Sequence, residues 1–283
     1  MRKSYRIIGT SLLALGLVGC FDVPQQGYFV TANGVVPALD CGKPPLVALA
    51  NRALPREFGI TVWNLYKGQR ADWLSGLGQF AGGRDLVLLQ ETRTSPELLA
   101  WLKAGGYEWQ QLQAFTQGSS SFGVMTASTT PQAFVCGVRS PEPFLRIPKS
   151  GLVSLYPLEG DPDGVMVVNL HAVNFELGMA GYREQLNELT MLVHRHQGPV
   201  ILAGDFNTWS EKRQHWVNQL VDELNLKEAV ATDDKRRTAF GLPLDHLYYR
   251  DLDLVEVSVP VTSASDHNPI VARFRAQSLT PGK

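Results

Sequence analysis

From about Gly59 onward, short apolar runs rich in branched residues alternate with longer amphipathic stretches. The short runs have strand length and predict ten strands, at 60–65, 85–90, 122–126, 134–138, 151–157, 165–170, 200–203, 246–250, 254–261 and 270–274. Helical stripes are fewer. Tyr182, Leu186, Leu189, Val193 and His196 step by four and three, and Trp216, Val217, Leu220, Val221 and Leu224 form a second face. Trp73, Leu74, Leu77 and Phe80 form a third. Ser95-Pro96-Glu97 has the N-cap, first-position proline and acidic first turn of a fourth helix. Because 122–170 is nearly all strand, a strict β-α-β alternation fails. Two packed sheets flanked by helices, an α/β class, account for the order better than a doubly wound sheet.

Ahead of this block stands a different kind of sequence. Arg2, Lys3 and Arg6 precede an apolar stretch from Ile7 to Val18, which is too short to span a bilayer comfortably and reads as a targeting segment. It ends Leu17-Val18-Gly19-Cys20, similar to the lipobox of bacterial lipoproteins, in which cleavage precedes a cysteine that takes a diacylglycerol. The expected division is a signal segment at 1–19, a tether or loosely packed segment at 20–57, the catalytic-type domain at 58–276 and a tail at 277–283. Cys20 is the expected lipidation site, and the expected location is the cell envelope, with the cytoplasm as the alternative.

With 283 residues, 44% hydrophobic, the chain has ample core for a large domain. Lys and Arg number 26 against 27 Asp and Glu, a formal charge of −1, so no basic excess advertises bulk nucleic-acid binding. Removal of the three basic residues of the signal segment would make it −4. The three cysteines are too few for a disulfide scaffold and none are at Cys-x-x-Cys spacing, which removes finger-type zinc. Any metal must then be held by oxygen and imidazole. Outside the cytoplasm, Cys41 is free to pair with Cys136.

The informative polar residues stand where apolar strands end, because strand ends present side chains into a shared crevice from a rigid base. They are Asn64 after Thr61-Val62-Trp63, Glu91 after Leu88-Leu89-Gln90, and His171 after Val168-Asn169-Leu170. Gly204-Asp205-Phe206-Asn207 follows Val200 to Ala203, while Leu244-Asp245-His246 and Ser265-Asp266-His267 open the last strands. Singly, each has an ordinary reading as a turn or solvated strand end. Asp205 and Asn207, two apart, share a side if the turn stays extended.

Taken together and in order, Trp63-Asn64, Gln90-Glu91, Gly204-Asp205-Phe206-Asn207, Leu244-Asp245-His246 and Ser265-Asp266-His267 resemble the endonuclease/exonuclease/phosphatase superfamily, in an uncharacterised bacterial branch. The resemblance implies a four-layered α/β/β/α sandwich of the DNase I type, with the site between the tips of the two sheets. It implies Mg²⁺, or Mn²⁺, near Asn64, Glu91 and Asp266, in keeping with the preference of Mg²⁺ for one or two carboxylates and retained waters. It also implies His267 as general base with Asp245 orienting it. Asp205 and Asn207 would position water or leaving group, His171 would contact the scissile phosphate, as leaving-group acid or otherwise, and Asn174 matches a phosphate-binding amide.

His194, His196 and His215 receive no role, and His246 should point away from Asp245 by strand alternation. The run Asp233-Asp234-Lys235-Arg236-Arg237 reads as a solvated loop or a phosphate-backbone contact. Arg146 and Lys149 read as substrate-phosphate contacts or as plain surface. The function expected is metal-dependent phosphodiester hydrolysis in nucleic acid by a monomer. A phospholipid or sphingolipid phosphodiesterase, or phosphatase, is the alternative on the same site, and a non-catalytic binding module the third reading.

Overall fold

The computed structural model describes residues 21–42, 52–143 and 146–277. Cys20 and the segment before it, and residues 278–283, lie outside the described residues. In chain order the strands are β1 Phe21–Asp22, β2 Tyr28–Thr31, β3 Gly34–Pro37, β4 Glu57–Asn64, β5 Leu86–Arg93, β6 Glu108–Gln117, β7 Ser120–Ser128, β8 Phe134–Pro141 and β9 Pro148–Leu158. They continue as β10 Asp161–His171, β11 Val200–Asp205, β12 Lys227–Glu228, β13 Thr238–Ala239, β14 Leu242–Pro243, β15 Asp245–Arg250, β16 Leu252–Ser258 and β17 Ile270–Ala276. The helices are α1 Trp73–Ala81, α2 Pro96–Ala104, α3 Ala180–Arg195 and α4 Glu211–Glu223.

Nine strands form one sheet, ordered β16-β17-β4-β5-β7-β6-β2-β3, with β1 beside β6. Six form the other, ordered β12-β15-β11-β10-β9-β8. Strand alternation sorts the core into layers. Ile60, Val62, Leu86 and Leu88 of the first sheet meet Val165, Val167, Ile201 and Leu247 of the second. The opposite face of the first sheet, with Val87, Leu89 and Met125, packs on Leu77 and Phe80 of α1 and Leu98 and Leu102 of α2. The outer face of the second, with Val168, Leu170 and Leu202, packs on Leu186 and Leu189 of α3 and Val217 and Leu220 of α4. The result is the α/β/β/α sandwich expected from the resemblance.

Each sheet contains one parallel pair, and these two pairs aim their carboxyl ends at a common edge. In the first, β4 runs parallel to β5 with Asn64 opposite Gln90. In the second, β10 runs parallel to β11 with His171 opposite Asp205. Crevices outside the carboxyl ends of parallel strands are where such sheets bind ligands. Beneath that edge a polar link crosses the interior, Gln90 Nε2 donating to Asn169 Oδ1 at 2.6 Å and Asn169 Nδ2 to the Met125 carbonyl at 2.8 Å.

Two expectations fail. The ten-residue β6 is absent from the predicted strands, because Gln110, Gln111 and Gln113 break its apolar pattern. Gln111 and Gln113 are nonetheless buried, with partners in Thr92 and Ser121. The segment read as a tether or loosely packed is no free tether, since its stretch 21–42 adds β1 to β3 to the first sheet, with β1 and β3 exposed, and Leu54 bridges to Leu158. Cys41 at the end of that segment is bonded to Cys136 of β8, with Cα atoms 5.0 Å apart, which staples it to the second sheet.

Candidate active site

Strand alternation on β5 sends Val87 and Leu89 toward the helices and Leu88 and Gln90 toward the other sheet. Continued regularly, it would send Glu91 to the helix side. A register shift between Leu89 and Thr92 interrupts the ladder there, and Glu91 adopts a left-handed backbone with φ of 49°. Bulges of this kind re-aim side chains. Glu91 Oε1 therefore lies 3.9 Å from His171 Nε2 on the opposite sheet, while Oε2 pairs with the ammonium of Lys67.

The two sheet edges are tied directly by Asn64, whose Nδ2 donates to Asp205 Oδ2 at 3.0 Å and whose Oδ1 accepts from Tyr66 N. The same Asp205 oxygen is 3.6 Å from His171 Nε2. The Asp205-Phe206-Asn207 turn does not stay extended, contrary to the condition under which the two side chains would share a side. Asn207 is left-handed at φ of 51°, its N–H folds back on Asp205 Oδ1 at 3.0 Å, and its amide donates to the Ala172 carbonyl.

Asp245 opens β15 directly opposite Asp205 in the antiparallel pair. His267 arrives from the loop before β17, held by its carbonyl to Trp63 Nε1 at 2.8 Å. Its Nδ1 lies 2.7 Å from Asp245 Oδ2, and both side chains are buried. Oxygen or nitrogen atoms of Asp205, Asp245 and His267 fall within 4.8 Å of one another. Burial, then the charge of Asp245, raises the Asp205 carboxyl above the usual range. Burial opposes a charged His267, but the Asp245 charge and hydrogen bond outweigh it and raise the imidazole to about 10.

His171 behaves oppositely. Its Nε2 lies 2.6 Å from Lys149 Nζ, and burial followed by the Lys149 charge drives its pKa well below the ordinary 6.5. The imidazole is thus held in its neutral form beside the Lys149 amine, whose own pKa burial lowers. Lys149 is the half-buried phosphate candidate that the sequence left open. Arg146 is exposed.

Asp266 stands beside His267, its nearest described partner being Ser265 Oγ at 3.4 Å. Asn174 accepts from Trp209 Nε1 at 2.9 Å through its Oδ1, and its backbone N–H donates to Glu142 Oε1 at 2.8 Å. His246 points away from Asp245 as alternation requires, into a cluster with Glu228, Thr208 and Tyr248. The phosphate-contact reading of Arg236 fails, because its side chain is 6% exposed and its NH1 reaches Glu228 and the Asp245 carbonyl at 3.1 Å. Arg236 is thus a brace for the Asp245 backbone, while Asp233, Lys235 and Arg237 are exposed, as a solvated loop would have them. Sequence reasoning missed Lys67, Glu142 and Arg213. The buried Arg213 donates to the carbonyls of Val173, Asn207 and Asn174, fastening the loops after β10 and β11.

The donor set suits a hard divalent cation. Glu91 and Asp266 offer carboxylates, Asn64 Oδ1 retains a second lone pair, and the raised Asp205 beside Asp245 is a concentration of buried negative charge that such an ion relieves. Glu91 pairs with the Lys67 ammonium through Oε2.

The sandwich and the assembly of Glu91, Asp205, Asp245 and His267 at one edge define a phosphoesterase-type site. The chain matches the Endonuclease/Exonuclease/phosphatase family over residues 61–267 and belongs to that family. Among solved structures, an endonuclease/exonuclease/phosphatase from Bacteroides vulgatus is 15% identical, with TM-score 0.61, covering 78% of this chain and 99% of its own. One from Beutenbergia cavernae is 20% identical, with TM-score 0.57, covering 80% and 72%. A 2′,3′-cyclic phosphatase, ANGEL2, in complex with adenosine-2′,3′-vanadate is 17% identical, with TM-score 0.57, covering 79% and 96%. These likenesses are of fold.

Proposed function

We propose that this protein is a divalent-metal-dependent phosphodiesterase that acts on nucleic acid as a monomer. The observation that carries the reading is the buried Asp245–His267 pair at 2.7 Å, set beside Asp205. Asp245 fixes Nδ1 of His267, and the fraction of the imidazole that has lost its Nε2 proton takes one from the attacking water, so hydrolysis should rise with pH toward 10. Asp205, held by Asn64 and by Asn207 N, orients that water. Lys149, set beside the neutral His171, offsets the charge of a non-bridging phosphate oxygen and is the proton source on that side. Mg²⁺ or Mn²⁺ held by Glu91, Asn64 and Asp266 supplies further positive charge to the phosphate oxygens. The complex of ANGEL2 with an adenosine-derived vanadate supports a nucleotide on this fold.

The test is hydrolysis of single-stranded DNA, plasmid, RNA, sphingomyelin and small phosphodiesters, each with Mg²⁺ and with chelator. Cleavage of a nucleic acid that stops in chelator is the expected result, and full activity in excess chelator overturns it. A phospholipid or sphingolipid headgroup is the second reading, favoured by the lipobox-like segment ending at Cys20, which would hold the enzyme on a membrane. No helix among the described residues is long and apolar enough to cross one. Export to the cell envelope is part of the proposal, and the Cys41–Cys136 bond supports it, because disulfides persist in oxidising compartments. A cytoplasmic role is the alternative.

A further inference from the structure

Beside Glu91 and His171 the crevice deepens into a cavity of about 230 Å³. Its lining carries Lys67 and Lys149 together with Glu91 and Glu142, and an apolar part with three aromatic side chains does nothing in the chemistry above. Phe115 and Phe122, from the β6–β7 hairpin, stack in parallel with ring centroids 4.6 Å apart and planes 3° apart. Phe175 is also part of the wall, 57% exposed although only Asn174 separates it from the buried stretch Ala172-Val173. Ser150 completes the wall. It lies on β9 opposite His171, is 2% exposed, and its hydroxyl has no hydrogen-bond partner among the described residues. Buried polar groups are nearly always paired, so an unpaired hydroxyl in a cavity wall marks a missing ligand group.

We infer that this cavity holds the nucleobase of one nucleotide flanking the scissile phosphate, an inference that rests on the phosphodiesterase reading. A base offers flat faces to aromatic side chains and a hydrogen-bonding edge to a hydroxyl, the combination found here. An acyl chain has no use for the unpaired Ser150. A quaternary ammonium headgroup would accept the aromatic side chains, and the charges of Lys67 and Lys149 are offset by Glu91 and Glu142, but such a headgroup has no N–H or acceptor edge for the unpaired Ser150 hydroxyl. The volume, below the ~300–1,000 Å³ of drug-sized sites, takes one ring system. A base paired within a duplex cannot enter without leaving its stack, so the preferred substrate is single-stranded.

The test compares a single-stranded oligonucleotide with the same backbone made of abasic residues, and follows Phe175→Ala and Ser150→Ala on both. Loss of the bases should raise KM about tenfold, the size of one stacked base. Each variant should lose activity on the base-containing strand and match the unmodified protein on the abasic one. Binding is read separately in chelator: adenosine 5′-monophosphate titrated with protein should show its base protons shifted upfield by the phenyl rings, and the shift should shrink in Phe175→Ala. Equal hydrolysis of both strands overturns the base site and leaves the phosphodiesterase reading standing. Absence of hydrolysis of every diester overturns that reading instead, and the proton shifts then decide the cavity alone, their absence refuting it. Phosphocholine diesters turned over faster than oligonucleotides, with the same dependence on Phe175, overturn the inference in favour of a lipid headgroup.

Discussion

Two imidazoles face the same crevice in opposite protonation states, and the difference is made by their neighbours. His267 is beside Asp245, with Asp205 and Asp266 adding negative charge, whereas His171 is beside Lys149. Pairing of titratable groups whose surroundings push them apart is how one site obtains distinct acid and base roles. His267→Ala should lower kcat by about 10²–10⁴-fold with the circular dichroism spectrum unchanged, and Asp245→Asn should be the milder change, since an amide still holds the ring but cannot stabilise its charge. Wild-type rates in both would exclude the assigned base. Folding gives a second handle in chelator. Because the folded pKa, about 10, lies above the ordinary 6.5, the pair stabilises fully below pH 6.5 and the gain is lost as pH rises toward 10. Urea unfolding should show that decline, and His267→Gln should not. At this scale the carboxylates and His267 were legible because they flank apolar runs. Lys149 was left open between phosphate contact and surface, and Lys67 and Arg213 were missed, since nothing local tells a lysine or arginine that it will be enclosed.

Elements carry the site by where they stop. The strands β4, β10 and β11 each end in a functional side chain, β5 carries Glu91 at its bulge two residues before its end, and their apolar interiors made them readable. By contrast β6 was hidden by glutamines whose partners lie on β5 and β7, a tertiary fact that overrides pattern. Helix α4 shows a similar limit. Its stripe of Trp216, Val217 and Leu220 predicted the helix, but not that Arg213 near its start would be the least exposed charge in the site's support. That guanidinium lies between the rings of Tyr182 and Trp209, 4.3 and 4.6 Å from their centroids, and bonds three loop carbonyls. Arg213→Met leaves those carbonyls without donors and should cost at least about 2 kcal/mol, roughly 4–8 °C in Tm. Because Asn207 is one of the three, kcat should fall about tenfold or more at a temperature where the variant is folded. Scanning calorimetry and steady-state kinetics check both, and an unshifted Tm would mean that the loops hold themselves.

For the whole molecule, the N-terminal segment is what distinguishes a domain that merely folds from one built for a location. The described hairpin joins the edge of the first sheet at β6, and the bond from Cys41 to Cys136, 95 residues apart, closes that segment onto β8 of the second sheet. A bridge over so long a loop stabilises by ~4 kcal/mol through the unfolded chain, and it forms stably only where thiols are oxidised. The Cys41→Ser, Cys136→Ser pair should therefore unfold at markedly lower denaturant than the oxidised protein, and match the reduced one. This ties stability to the proposed export, since material kept in the cytoplasm would present Cys41 as a free thiol. Cys20→Ser, followed by cell fractionation, separates the two destinations. Under the export proposal the variant loses acyl labelling and accumulates as precursor, while the unmodified protein is membrane-bound with Cys41 protected from alkylation. If the unmodified protein instead fractionates as soluble cytoplasmic material, with Met1 intact and Cys41 alkylated, the anchor and the envelope location are refuted. The site at the opposed strand ends would be untouched by that result, because none of its residues belongs to the segment before residue 64.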